Sequence, residues 1–574
     1  MSHHPALDES GMKMHNTAGH ALARGLKRHG VTHVFGQSLP SLLFLAGKEL
    51  GITQVAYRQE NAGGYMADAY ARLSGKPGIV TAQNGPGATL LVPPLAECMK
   101  ASIPVIALVQ EVNRAQIDKN AFQEFDHEAM FAPCAKYVRR VNEASRLLDY
   151  LDQAFTAACS GRPGPAVLLL PFDLLLGNEL PLEKKTTNLG FFPLDRVTAA
   201  SDRIDAAASV LAKAKKPIII VGGGIHSSQA WDELAAIQEE CSLPVATTVM
   251  GKGAVDERHP LSLGVMAYFL GPNGSGRYLR PLLNDADCIF LIGTRTNQNG
   301  TDSWSLYPDN ATYIHLDVDS MEVGRNYEAL RLVGDAKLTL AALRTALAKQ
   351  DMSARKQMRS AVEKQIAEGK AAHLKESAPV RMSPESPIRP ERIMEELNKR
   401  LTPDSIIVSD ASYSSIWISN YLTSLKPGMR FITPRGLAGL GWGFPYALGS
   451  RVANPTAPIY CLVGDGGFGH VWSELETAVR MKLKVTLIVL NNGILGYQKH
   501  AENARYGTHT TAVDFSPVDH TMIAKACGAN AVRVTDPDKL EEAFALADKA
   551  ETVTLIEVMC DAKAHPPVPV FKKD

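Results

Sequence analysis

Residues 459–496, IYCLVGDGGFGHVWSELETAVRMKLKVTLIVLNNGILG, leave this chain little choice of architecture. The apolar run Ile459–Val463 reads as a buried strand and breaks at Gly464-Asp465-Gly466-Gly467. Val471, Leu475, Ala478 and Val479 then recur at helical spacing. A second apolar run, Val485–Leu490, stops at Asn491-Asn492-Gly493. Strand, glycine turn, helix and parallel strand make a βαβ unit with a right-handed crossover. Asp465 and Asn492 therefore fall at the carboxyl ends of neighbouring strands, where open α/β sheets bind ligands. A carboxylate, an amide oxygen and the backbone carbonyl at Ile494 are hard donors. Such a set suits a Mg²⁺ that keeps some water and is completed by the phosphates of a ligand. The glycines let the backbone approach a diphosphate, and a helix start expected at Phe468 offers N–H groups to it.

The rest of the chain fits around such a unit. Its 574 residues predict about three domains of ~150 each. We place them at 1–180, 197–345 and 391–574, each a Rossmann-like, doubly wound α/β unit with a parallel sheet. All three are expected to share one layout. In the first, helices are expected at Ala21–His29 and Tyr65–Leu73, and strands at Val31–Phe35, Gln54–Ala56, Gly78–Ala82 and Pro104–Val109. In the second, strands Pro217–Val221, Cys288–Ile292 and Tyr313–Asp317 end at Gly222-Gly223-Gly224, Arg295 and Asp317. Residues 177–196 and 376–390 read as linkers, and 346–375 as a charged surface helix. Sixty basic residues balance sixty acidic ones, which argues against a nucleic-acid or membrane-surface partner. The eight cysteines are scattered without metal-finger spacing, as in a reduced cytoplasmic enzyme. No apolar stretch reaches membrane-spanning length, the first residues lack a signal-peptide core, and His3 and His4 read as a tail.

The pairing of Gly464-Asp465-Gly466 with Asn491-Asn492, after 24 intervening residues, resembles the signature of thiamine-diphosphate (ThDP) enzymes. The stretch RQENAGGYMADAYARLSGKPGIVTAQNGPGAT from Arg58 is similar to the pyrimidine-binding domain of the acetolactate synthase (acetohydroxyacid synthase) group, which neighbours the pyruvate oxidases and benzaldehyde lyase. The resemblance runs from about residue 17 to 560. It implies ThDP and Mg²⁺ as cofactors, with Asp465, Asn492 and Ile494 as metal ligands. Glu60 would be the activating glutamate, holding the aminopyrimidine in the tautomer that takes the thiazolium proton. A carboxylate in that role sits in a low-dielectric pocket with a raised pKa. Gln123 would reach the reacting carbon from a second subunit. Leu440, after Gly439, would keep the cofactor bent. Tyr413 and Ser414, with Gly464, Gly466 and Gly467 and the run Leu495-Gly496-Tyr497, would complete the cofactor site. The two halves of each site would come from different subunits, making a homodimer the minimum and a homotetramer the larger assembly.

Several positions depart from that pattern. The acetolactate synthases carry Met and Trp where Tyr497 and Ala501 stand, and a Gln-His pair on the diphosphate where Tyr413-Ser414 stands. Benzaldehyde lyase carries a histidine that the Gln37–Ser41 loop lacks. Gln37, Ser38 and Asn84, with Tyr497, His500 and Ala501, are candidates for contact with a small 2-oxo acid or related carbonyl substrate. In the middle domain Gly223, Arg295, Asp317 and Asp335 could grip FAD or ADP, or the site could be empty, since the flavin loop reads Gly264-Val265-Met266-Ala267. The expected chemistry is an acetolactate-synthase-like carboligation. A lyase or decarboxylase acting on 2-hydroxy ketones, 2-hydroxyacyl-CoA or 2-oxo acids is the alternative, and a catalytically silent nucleotide-binding homologue is the reading from another class.

Overall fold

A computed structural model describes residues 17–177 and 185–568. His3, His4 and the middle of the first expected linker lie outside the described residues. Near-continuous apolar runs bury both faces of their strands, as wholly parallel sheets require. Every residue of Val105–Glu111, Cys288–Ile292 and Thr486–Asn491 is buried. Three six-stranded sheets result, and every strand pairing in them is parallel.

The first sheet runs, edge to edge, Thr53–Val55, His33–Phe35, Gly78–Ala82, Val105–Glu111, Ala166–Pro171, Tyr137–Arg140. The third runs Arg430–Ile432, Ile406–Ser409, Ile459–Gly464, Thr486–Asn491, Thr554–Met559, Asn530–Val534. Numbered within each domain, both follow the order 2-1-3-4-6-5. The middle sheet runs Ser262–Val265, Val245–Thr247, Pro217–Val221, Cys288–Ile292, Thr312–Asp317, Leu330–Val333, which is the dinucleotide-binding order 3-2-1-4-5-6. The expectation of one layout throughout is thus corrected: only the outer two domains share theirs.

Helix bounds differ from expectation at three functional places. The first-domain helix runs Glu60–Ser74, so Glu60 opens it rather than preceding a helix that begins at Tyr65. After the glycine turn the helix is split into Asp465–Phe468 and Glu474–Arg480, and Phe468 ends a turn instead of starting one. The charged helix is a separate element, Ser353–Arg381. It carries Pro379 in its last turn and occupies the start of the expected second linker.

The outer domains fuse their cores. Apolar residues from both, Phe35 and Leu108 among them on one side and Val463 and Leu487 on the other, form one continuous cluster. Helix Glu60–Ser74 lies against Gly443–Ala453, and small residues bring the backbones close: a Cβ on Gly449 would meet Met66 O at 2.1 Å. Tyr65 stacks on Trp442 with centroids 4.5 Å apart. Asp68, Arg72 and Tyr446 form a buried network across the same contact, with the Tyr446 hydroxyl donating to Asp68 at 2.8 Å. Large apolar side chains buried here contribute about 1.5–3 kcal/mol each, which makes this contact a core rather than a hinge.

Candidate active site

The Ile459–Gly464 and Thr486–Asn491 strands are neighbours in register, with Gly464 opposite Leu490. Asp465 and Asn492 follow these ends directly. The Asp465 carboxylate accepts a hydrogen bond from Gly493 N at 2.8 Å. Burial nevertheless pushes its pKa up to about 6, against the pull of the backbone N–H groups. A carboxylate so placed is relieved by a cation. Among the described residues nothing stands within 4 Å of where a Cβ would project from Gly464 or Gly493, which leaves the backbone open to a ligand there. Among the described residues no group of three or more His, Cys, Asp or Glu could hold a metal by side chains alone. An ion at Asp465 would therefore draw on amide, carbonyl and ligand oxygens. Carboxylate, amide, open glycine backbone and uncrowded space fit a Mg²⁺–diphosphate group.

These residues face a cavity of about 590 Å³. Its wall brings together Gly464, Asp465, Gly466, Gly467, Asn492, Ile494, Leu495, Gly496 and Tyr497 with Tyr413, Ser414 and Leu440. Gly439 sits one residue back, against the Trp442 ring. The loop before Leu440 is set by Asp410, which no sequence pattern singled out. Its buried carboxylate accepts from Gly441 N at 2.8 Å, Trp442 N at 3.1 Å and Ala411 N at 3.0 Å. A Cβ on Gly467 would stand 2.0 Å from the same carboxylate, so this position admits only glycine.

Tyr413 and His500 form a pair whose proton positions follow from their partners. His500 Nε2 lies 3.0 Å from Ala562 O. A carbonyl only accepts, so Nε2 carries the proton and Nδ1 is bare. Burial lowers the His500 pKa and keeps the ring neutral. The Tyr413 hydroxyl, 2.9 Å from Nδ1, must then donate to it and presents a lone pair elsewhere. Tyr497 stands edge-on to the Tyr413 ring at 5.9 Å and is 38% exposed, at the cavity mouth. His500 and Ala501 do not reach the cavity wall; they lie behind Tyr497 on helix Gly496–Tyr506.

Glu60, Gln37, Ser38, Asn84 and Gln123 form a second group, all beyond the carboxyl ends of first-domain strands. None lines the Asp465 cavity of the same chain. Glu60 is half-buried, and a Cβ on Gly87 would approach its Oε1 to 3.2 Å. Gln37 donates to Arg58 O at 2.8 Å, while Ser38 is exposed. The Asn84 amide is committed to the Phe122 and Gln123 carbonyls, at 3.2 and 3.1 Å.

Gly223, Arg295, Asp317 and Asp335 line a separate cavity of about 160 Å³ in the middle domain. The Arg295 guanidinium has no hydrogen-bond partner among the described residues, and burial lowers its pKa. Burial raises Asp317 to about 6. Asp335 is largely consumed: it accepts from Arg196 at 2.9 Å, Ser228 at 2.8 Å and Leu338 N at 3.2 Å. Val265, Met266 and Ala267 are buried and do not reach this cavity.

Two buried glutamates absent from the motif reading brace the halves. Glu474, on the helix after the glycine turn, accepts from Arg58 N and Gln59 N at 3.1 Å each, immediately before Glu60. Glu97, on the corresponding first-domain helix Val92–Ala101, accepts from Arg435 N at 3.0 Å and Gly436 N at 2.8 Å, on the way to Leu440. Glu474 shares the helical face of Val471 and Ala478, and a carboxylate on an apolar stripe was the available signal.

Three regions match protein-family models: residues 16–130 the thiamine pyrophosphate enzyme N-terminal TPP binding domain, 204–343 the central domain, and 410–558 the C-terminal TPP binding domain. The chain is 32% identical to a probable acetolactate synthase large subunit of Methanococcus aeolicus, over 94% of this chain and 91% of that one. It is 32% identical to an acetolactate synthase of Arthrospira platensis, covering 96% of each. It is 30% identical to the acetolactate synthase isozyme 2 large subunit of Escherichia coli (strain K12), over 94% of this chain and 95% of that one. With thiamine pyrophosphate domains along its length and such relatives end to end, the chain belongs to the acetolactate synthase large-subunit family of thiamine pyrophosphate enzymes.

Proposed function

We propose that the protein is a Mg²⁺-dependent carboligase. It joins a 2-oxo acid donor to a carbonyl acceptor, with loss of CO₂ from the donor and uptake of one proton to form the product hydroxyl. The observation that carries this reading is the single cavity wall shared by Asp465, Asn492, Ile494, the open glycines and Leu440. ThDP, when bound, supplies a sink for the electron pair left beside the carbonyl. Asp465, the Asn492 amide and the Ile494 carbonyl would hold Mg²⁺, and the glycine turn would offer backbone N–H groups to the diphosphate. The Tyr413 hydroxyl donates its hydrogen bond to His500, so it contributes little to an anion. Leu440, on the same wall, would keep a bound cofactor bent. Glu60 and Gln123 are absent from the wall of their own chain's cavity, which supports a dimer in which the partner subunit's Glu60 holds the aminopyrimidine proton and its Gln123 orients the substrate carbonyl.

The open middle cavity takes an adenine nucleotide. Arg295 meets a phosphate and Asp317 a ribose, with no flavin ring, because Val265, Met266 and Ala267 are packed in the core. Denatured protein should release a colourless nucleotide; yellow flavin in the supernatant would overturn this part.

The cavity wall presents polar side chains to a substrate, Ser414 and Tyr497 among them. This lining favours a donor or acceptor more polar than pyruvate. A panel of 2-oxo acids and carbonyl acceptors, assayed with saturating ThDP and Mg²⁺, tests this. Preferred turnover of a hydroxylated or charged pair is expected. Acetolactate formation from pyruvate that matches or exceeds every other pair would contradict the substrate reading, and cleavage of 2-hydroxy ketones without any ligation would point to a lyase.

A further inference from the structure

We propose that His127, oriented by Glu111, is a positioning residue that fixes the turn carrying Gln123 and flanking Glu60. The inference rests on the catalytic reading of Glu60 and Gln123 above. Both members of the pair are buried, His127 at 0% and Glu111 at 2% exposure, and neither belongs to the cofactor motifs.

The geometry fixes the tautomer. Gly85 N lies 3.0 Å from His127 Nε2. A backbone N–H can only donate, so Nε2 is bare and accepts. Nδ1 then carries the proton and donates to Glu111 Oε1 at 2.7 Å. A hydrogen bond to a carboxylate is stronger than a neutral one, and it locks the ring so that its lone pair points at Gly85. Arg140 stands 4.0 Å from the same Glu111 oxygen and offsets the buried charge.

Gly85 anchors the turn Asn84-Gly85-Pro86-Gly87, which touches both catalytic candidates. On one side Asn84 Nδ2 holds the Phe122 and Gln123 carbonyls. A Cβ on Gly85 would stand 2.8 Å from both the Cβ and the carbonyl oxygen of Gln123. Gln123 itself has φ +62°, a conformation that costs a non-glycine residue free energy and persists only where its surroundings impose it. On the other side Gly87 leaves the space into which Glu60 Oε1 projects. Loss of the His127 acceptor would leave a buried N–H and a buried carboxylate without their hydrogen bonds, and would let the turn shift against both side chains. Such a shift degrades catalysis without touching the Asp465 site in the other domain.

The test compares H127L, H127Q, N84A and E60Q with wild type, all as full-length holoenzyme. It reads exchange of the cofactor C2 proton by NMR, kcat and KM on the best substrate pair, and ThDP affinity by calorimetry. Misplacing reacting groups by an ångström costs on the order of 100-fold, so H127L should lose about 10–100-fold in C2 exchange and kcat. Its ThDP affinity should stay within about threefold of wild type. H127Q restores an acceptor for Gly85 N and should recover most of the rate. Wild-type exchange in folded H127L, no rescue by H127Q, or a parallel loss of ThDP affinity would each overturn the inference. If H127L does not fold, N84A carries the test: a fall in kcat at unchanged ThDP affinity supports the device, and unchanged kinetics overturn it. E60Q separates the layers. Slow exchange in E60Q with fast exchange in H127L defeats this inference alone, whereas fast exchange in E60Q defeats the reading of Glu60 and this inference with it.

Discussion

On the proposed reading, Asp465 would couple proton release to metal binding. Burial raises its pKa to about 6, above the value of about 3.9 for a free aspartate, so the metal-free fold keeps the neutral acid up to about pH 6. Mg²⁺ requires the carboxylate and must displace that proton whenever it is present. Above about pH 6 the group is already ionised and Mg²⁺ affinity should be flat. Below it, affinity should fall by about tenfold per pH unit, one proton being released per ion bound. Calorimetric titration of Mg²⁺ with ThDP present, at pH values on both sides of 6, reads this directly. Equal affinity on both sides would mean that Asp465 does not hold the ion. Tyr413 illustrates the opposite lesson. Its position suggested a diphosphate contact, yet its proton is spent on His500, a partner 87 residues away that no local pattern discloses.

At the scale of elements, the two carboxylate braces tie the outer domains together with matching parts. In each, the helix after the third strand carries a buried glutamate that binds the loop after the second strand of the other domain. Each brace satisfies at least two part-buried N–H groups, and leaving one such donor unpaired costs less than the about 1–3 kcal/mol of a fully buried one. Glu474→Ala and Glu97→Ala should each lower the thermal unfolding temperature. Glu474→Ala should in addition slow C2-proton exchange, because Arg58 and Gln59 lead straight into Glu60. A Glu474→Ala protein that unfolds at the wild-type temperature and exchanges at the wild-type rate would dismiss the brace. Strands were legible from sequence because parallel sheets bury continuous apolar runs: Gly78–Ala82, Pro217–Val221 and Cys288–Ile292 fall where expected. The glycine turn, and the placement of Asp465 and Asn492 just past neighbouring strand ends, were legible for the same reason. Glu97, Glu474, Asp410 and the His127–Glu111 pair were not, since each acts on backbone N–H groups brought near only by the fold. The start of the Glu60 helix was missed because Asn61-Ala62-Gly63-Gly64 reads as loop. In the fold, a Cβ on Gly63 or Gly64 would collide with Tyr57 or Pro94, so these glycines are there for packing.

At the scale of the whole molecule, two domains of identical strand order share a core, while the dinucleotide-ordered domain keeps its own. One chain thus carries the Asp465 cavity and a separate group of residues around Glu60 that does not line it. The account requires two chains to complete each site, which subunit mixing tests most directly. Glu60→Gln and Asp465→Ala homodimers should each be inactive. In a mixed dimer one site collects both substitutions and the other collects none. Random reassortment makes half the dimers mixed with one intact site of two, so activity should return to about one quarter of wild type. Mixed subunits that stay as inactive as their parents, after exchange has been verified by mass, would contradict it.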